Sequence, residues 1–126
     1  MASKPILIVE DNAELRSGLQ KFFEGEGYSV FLANHGQVAL DLFEKISTPK
    51  FGLILVDFRM PVMNGATFLL EFERIHPQLF ADTAIFIMSA GTDINQSTLK
   101  ATGFLEKPFD LDELVRIAAQ YCKSMV

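Results

Sequence analysis

The sequence predicts an α/β fold, a parallel sheet with helices packed on it, and three observations predict it. Short apolar runs alternate with amphipathic stretches from one end of the chain to the other, the pattern of repeated βα units, and five such pairs can be counted. The strongest runs are continuously apolar rather than alternating, which suits strands covered on both faces. Finally, 126 residues with 49% hydrophobic and 21% charged side chains suffice for one self-supporting core and leave no room for a second domain of ordinary size.

The elements follow in order. Pro5-Ile6-Leu7-Ile8-Val9 is the first strand, too short for a buried helix, and it stops at Glu10-Asp11-Asn12. Leu15, Leu19, Phe22 and Phe23 then recur at helical spacing, and Gly25-Glu26-Gly27 closes that helix because glycine readily takes the left-handed cap conformation. Tyr28 to Leu32 reads as a weaker second strand, followed after Asn34-His35-Gly36 by a helix burying Ala39, Leu40, Phe43 and Ile46. Phe51 to Asp57 is the third strand, central by its bulky run, and it ends on a carboxylate. The loop Phe58 to Gly65, with Met60 and Met63 as gap fillers, leads to a helix with Phe68, Leu69, Phe72 and Ile75 on one face, ending before Pro77. Ala84 to Met88 is the fourth strand and Gly103 to Lys107 a short fifth. Asp110 with Glu113 resembles a capping box, opening a final helix that buries Leu111, Leu114, Val115, Ala118 and Cys122.

Composition excludes several functions. Eleven basic against 16 acidic residues give a net charge of −5, which is no footprint for nucleic acid. One cysteine, Cys122, makes neither an internal disulfide nor a zinc site, and His35 and His76 lack ligand spacing and read as surface residues at loop or helix ends. No signal peptide or membrane-length apolar run is visible, so a soluble, cytoplasmic single domain spanning residues 1–126, with no effector domain, is expected.

In an open parallel sheet, ligands bind beyond the carboxyl ends of the strands. There the sequence places Glu10-Asp11, Asp57, Ser89 and Lys107. Taken singly, each is an ordinary solvated loop residue, and Asp11 a cap for the first helix. Five together at strand ends point to a site. Two carboxylates ~5 Å apart repel by roughly 3 kcal/mol at an effective dielectric near 20, and a third adds similar terms. Lys107 alone cannot balance three negative charges, whereas a hard dication bound through carboxylate oxygens can, and Mg²⁺ is the natural candidate, with Mn²⁺ as the alternative ion.

Glu10-Asp11, the run Asp57-Phe58-Arg59-Met60-Pro61-Val62-Met63-Asn64-Gly65, Ser89-Ala90 and Lys107-Pro108-Phe109 together resemble the receiver domain of two-component response regulators, in the right order over practically the whole chain. The resemblance implies a flavodoxin-like (βα)5 three-layer sandwich with strand order 2-1-3-4-5. It implies that Asp57 accepts a phosphoryl group from a phosphohistidine on a histidine kinase or phosphotransfer protein. Mg²⁺ would be held by Asp57, Asp11 and the backbone carbonyl of Arg59, with Glu10 contributing directly or through water. Lys107 would pair with the phosphoryl group, aimed by a cis Lys107-Pro108 bond. Ser89 would bond a phosphoryl oxygen and, with Phe104, form the switch that alters partner binding. The domain is then no enzyme in the usual sense but catalyses its own phosphorylation and slow dephosphorylation, as a monomer or a weak phosphorylation-dependent dimer. Arg59 and Gly91 lie two positions beyond Asp57 and Ser89, where side chains can gate the attacking water, and Arg59 is expected to affect the lifetime of the acyl phosphate.

Two features depart from the family pattern. Glu10 replaces an aspartate, and only 18 positions separate Ser89 from Lys107, about one helical turn (~4 residues) short, which predicts a shortened fourth helix between those residues and an unusual partner or dimer mode. Other chemistries fit less well. A flavodoxin-type carrier needs a phosphate-welcoming loop where Glu10-Asp11 stands, a P-loop motif is absent, and Arg59 replaces the aspartate that a haloacid-dehalogenase-like phosphatase carries two residues after its nucleophile. A phosphorylation-independent binding module on the same fold is the strongest rival.

Overall fold

The computed structural model describes residues 3–45, 50–60, 63–90 and 99–123. In chain order the elements are β1 (Ile6–Val9), α1 (Ala13–Gly25), β2 (Val30–Ala33), α2 (Gly36–Phe43), β3 (Leu53–Asp57), α3 (Gly65–Ile75), α4 (Pro77–Asp82), β4 (Ala84–Ser89), β5 (Gly103–Glu106) and α5 (Leu111–Cys122). All strand pairs are parallel and the sheet order is β2-β1-β3-β4-β5, as expected. No helix among the described residues is long and apolar enough to cross a membrane.

The continuous apolar runs are explained by strand periodicity. Leu7, Val9, Ile54, Val56, Ile85 and Ile87 point to one face, where α2 and α3 cover them. Ile6, Ile8, Leu53, Leu55, Ala84 and Met88 point to the other, under α1 and α5. With both faces covered, neither parity can be polar.

Helix ends are chemically specified. The Asn12 carboxamide accepts from Leu15 N–H at 3.0 Å and the Asn64 carboxamide from Thr67 N–H at 2.9 Å, each capping its helix. The cap of α1 is thus Asn12 rather than Asp11, which leaves the Asp11 carboxylate free of that duty. Helix α1 closes in a Schellman motif: Gly27 N–H donates to Glu24 O and Tyr28 N–H to Phe23 O, with Gly27 at φ 97°.

The structure corrects the sequence reading in several places. Pro77 begins helix α4 instead of merely ending α3, because proline at the first helical position forfeits an N–H that has no intrahelical partner anyway. Ile75 is 39% exposed: the inner side of this corner is filled by the Phe72 ring, stacked on Phe43 with centroids 4.4 Å apart, and by Phe80 and His76. His76 is accordingly half-buried, its Nε2 3.2 Å from Glu44, and His35 is half-buried too. On α5 the buried face is Leu114, Ala118 and Cys122 at four-residue intervals, while Leu111 and Val115 lie off it and are exposed. Burial pushes the Cys122 thiol up to about 12. Ile46, Gly91 and most of the segment where a shortened fourth helix is expected lie outside the described residues.

Candidate functional site

Strand register assembles the site. Val9 pairs with Val56, so Glu10 and Asp57 lie next to each other one step further along β1 and β3. Asp57 pairs with Met88 and Ser89 with Glu106, which sets Ser89 and Lys107 one step beyond Asp57 and Glu106. Bonds from Glu10 N–H to Ala33 O (3.0 Å), Phe58 N–H to Met88 O (2.9 Å) and Lys107 N–H to Ser89 O (2.7 Å) carry the ladder past the strand ends.

The result is an acidic pocket. Glu10, Asp11 and Asp57 each present a carboxylate oxygen, and these atoms lie within 4.8 Å of one another. Glu10 and Asp57 are buried, whereas Asp11 is exposed at the rim. Lys107 Nζ stands 3.4 Å from Glu10 Oε1 and 3.3 Å from Asp57 Oδ1, a single ammonium shared by two acids. The second Glu10 oxygen accepts from Asn12 N–H at 3.1 Å, and Asp57 Oδ1 accepts from Arg59 N–H at 3.4 Å. Burial is the main reason that the Glu10 carboxyl rises to about 7; the Asn12 N–H opposes it, Asp57 adds to it, and Lys107 lowers it slightly.

This set has oxygen donors only and excess negative charge. It fits a hard dication such as Mg²⁺ and offers nothing to a soft metal.

The other expected site residues are placed as follows. Ser89 is buried at the end of β4, and Arg59 is exposed in the loop after β3. Phe104, in β5, is half-buried against the core on the α2 and α3 side. The Lys107-Pro108 bond is cis. Met60 is buried and Met63 half-buried in the same core. Sequence reasoning missed Asn12 and Arg16. Arg16 Nη1 donates to the Glu10 carbonyl at 2.8 Å and reaches the Asp11 carbonyl at 3.4 Å. The asparagine was detectable from its cap position before a helical stretch; the arginine carried no signal, because its partners are backbone atoms.

Gly65, at the start of α3, lies against the end of β3. A Cβ there would stand 2.9 Å from Asp57 O and 3.0 Å from Phe58 Cα, both backbone atoms that cannot rotate away. Gly65→Ala is therefore expected to cost about 1–3 kcal/mol in urea unfolding, as overpacking does, and to weaken cation binding by shifting Asp57. Unchanged stability and affinity would show that the loop relaxes freely.

A family model described as the response regulator receiver domain matches residues 6–119. Among curated relatives, the chain is 36% identical over 115 residues to the transcriptional regulatory protein CrdR of Helicobacter pylori, covering 88% of this chain and 51% of CrdR. It is 33% identical to the sensor kinase CckA of Brucella abortus, covering 89% of this chain and 12% of CckA. The chain thus spans about half the length of the first relative and a small part of the second. Among solved structures, the chemotaxis protein CheY4 of Vibrio cholerae aligns with a TM-score of 0.81 at 27% identity, over 95% of this chain and 99% of CheY4. The receiver domain of the sensor histidine kinase PA1611 from Pseudomonas aeruginosa PAO1, solved with magnesium coordinated in its active-site cleft, aligns equally well at 26% identity, over 95% of this chain and 98% of that one.

Proposed function

The chain belongs to the response regulator receiver domain family, the signalling domains of two-component systems, and from that premise we propose that Asp57 accepts a phosphoryl group in a Mg²⁺-dependent reaction. The observation that carries this reading is the convergence of Glu10, Asp11 and Asp57 with Lys107 set between two of them. The proposed donor is a phosphohistidine on a histidine kinase or phosphotransfer protein. An Asp57 carboxylate oxygen forms a bond to phosphorus as the phosphorus–nitrogen bond breaks, and the departing imidazole takes a proton from solvent. Asp57, Asp11 and the Arg59 carbonyl would hold the cation, with Glu10 beside them. When bound, it supplies charge neutralisation for the acids and the incoming phosphoryl oxygens.

The protein's own groups supply the rest. Lys107, already within reach of Asp57, pairs with the new phosphoryl charge. Ser89 offers a hydroxyl at the end of the neighbouring strand, and rearrangement there, with Phe104 on β5, alters the surface read by a downstream protein. Arg59, next to the acceptor loop, sets how readily water reaches the acyl phosphate. A cytoplasmic location accords with this chemistry.

Incubation with Mg²⁺ and a small acyl-phosphate donor tests the reading by intact mass. A gain of one phosphoryl group that requires the cation supports it. No gain from such a donor or from a histidine kinase would overturn it in favour of a phosphorylation-independent binding module.

The Glu10 carboxyl provides a second check. Between its ordinary value of 4.5 and about 7, the folded protein retains a proton that the unfolded chain has released. The unfolded state then binds fewer protons, so the Glu10 contribution to metal-free stability falls as pH rises through that window and stays at its minimum above it. Glu10→Gln is expected to gain melting temperature on the wild type from about pH 5 to about pH 8. Mg²⁺ affinity of the wild type is expected to rise over the same range, because cation and proton compete for the pocket. A flat difference between the two proteins would refute the burial argument.

A further inference from the structure

The turn that carries Glu10 and Asp11 is held from outside the pocket. Arg16, half-buried on the first turns of α1, reaches back so that its Nη1 lies 2.8 Å from the Glu10 carbonyl oxygen and 3.4 Å from that of Asp11. Its own backbone N–H donates to Asn12 O at 2.9 Å, while the Asn12 carboxamide caps the same helix. On the other side, Glu10 N–H is anchored to Ala33 of β2. The two-residue turn is thus clamped between a sheet neighbour and a helix side chain. Asp11 is exposed at the rim, and its carbonyl is the second of the two that the guanidinium reaches.

We propose that Arg16 is a positioning residue for cation binding, its guanidinium fixing the carbonyls of Glu10 and Asp11 so that their carboxylates converge with Asp57. The proposal rests on the Mg²⁺-dependent reading of the pocket and deepens it. A guanidinium suits the task because Nη1 alone carries two coplanar N–H groups, which it turns to the two carbonyls at 2.8 Å and 3.4 Å, held in plane by the rigid group, whereas an ammonium presents a freely rotating point charge. The effect is pre-organisation: carboxylates held in place need no ordering when the cation arrives. Such outer partners of metal sites commonly govern affinity by an order of magnitude or more.

The test is calorimetric titration of the full chain with Mg²⁺ alone, for wild type, Arg16→Ala and Arg16→Lys. The expected result is a dissociation constant about tenfold higher in Arg16→Ala. Partial recovery is expected in Arg16→Lys, which keeps a cationic N–H donor group on a long stem but loses the planar geometry. The phosphorylation rate with a small acyl-phosphate donor should fall in Arg16→Ala at limiting Mg²⁺ and return at saturating Mg²⁺, because the acceptor itself is untouched. A purely structural role would instead lower the metal-free melting temperature and leave the dissociation constant unchanged, and that result would overturn the proposal. Should Arg16→Ala not fold, Arg16→Lys with wild-type affinity for Mg²⁺ would do the same. Failure of the wild type to bind Mg²⁺ would instead strike the phosphoacceptor reading itself, so the two failures are distinguishable.

Discussion

Asp57→Asn is expected to abolish the Mg²⁺-dependent gain of a phosphoryl group while leaving a folded protein. The amide has nearly the carboxylate's shape, so the packing at the end of β3 survives, and Asp57 is buried enough that shape matters. What disappears is the nucleophile, since an amide oxygen does not form a stable acyl phosphate, together with one of the charges that would hold the cation. Stability should change little or rise, because the substitution removes repulsion from Glu10 as well as attraction to Lys107, 3.3 Å away. The Glu10 carboxyl should also fall towards its ordinary range, since Asp57 contributes to raising it, although burial keeps part of the shift. Intact mass gives the first outcome and a pH titration the last. A phosphoryl group still acquired by Asp57→Asn would move the acceptor elsewhere.

The largest stability effect is expected away from the pocket, at Phe72. This ring is fully buried on α3, stacked on Phe43 of α2 at 4.4 Å, edge-on to Phe80 of α4 at 5.4 Å, and beside Phe68 at 5.8 Å. Three helices therefore share one side chain. Phe72→Ala should cost about 3–5 kcal/mol in urea unfolding, the combined loss of transfer energy and the cavity left behind. That is a large part of a typical domain's 5–15 kcal/mol. Mg²⁺ binding by the folded fraction should persist, because the acids hang from β1 and β3, whose paired register does not involve this ring. A loss under about 1.5 kcal/mol would mean that Phe43 and Phe80 collapse into the gap.

The strands were legible because residues such as Ile6 to Val9 and Leu53 to Val56 are buried on both parities, which leaves no ambiguity with an amphipathic helix. The pocket acids were legible for a related reason: charge that abruptly ends an apolar strand stands out. What remained hidden depended on tertiary context. Helix α4 has only six residues and opens on Pro77, so local rules read the proline as a stop. The exposure of Leu111 and Val115 follows from how α5 rolls on the sheet, which a hydrophobic stripe alone fixes only within about one position. Arg16 was invisible because it binds carbonyl oxygens, and those exist at every residue until a turn aims two of them at one guanidinium.

Glu10, Asp57, Ser89 and Lys107 each sit a single step past a strand pairing, so the register of the strands governs how the gene can change. Losing or gaining one codon within β1, β3, β4 or β5 would carry the terminal side chain about 3.3 Å along its strand and turn it to the opposite side. Chemistry here is therefore indexed by spacing, and diversification by exchange of residues is open where diversification by insertion is closed.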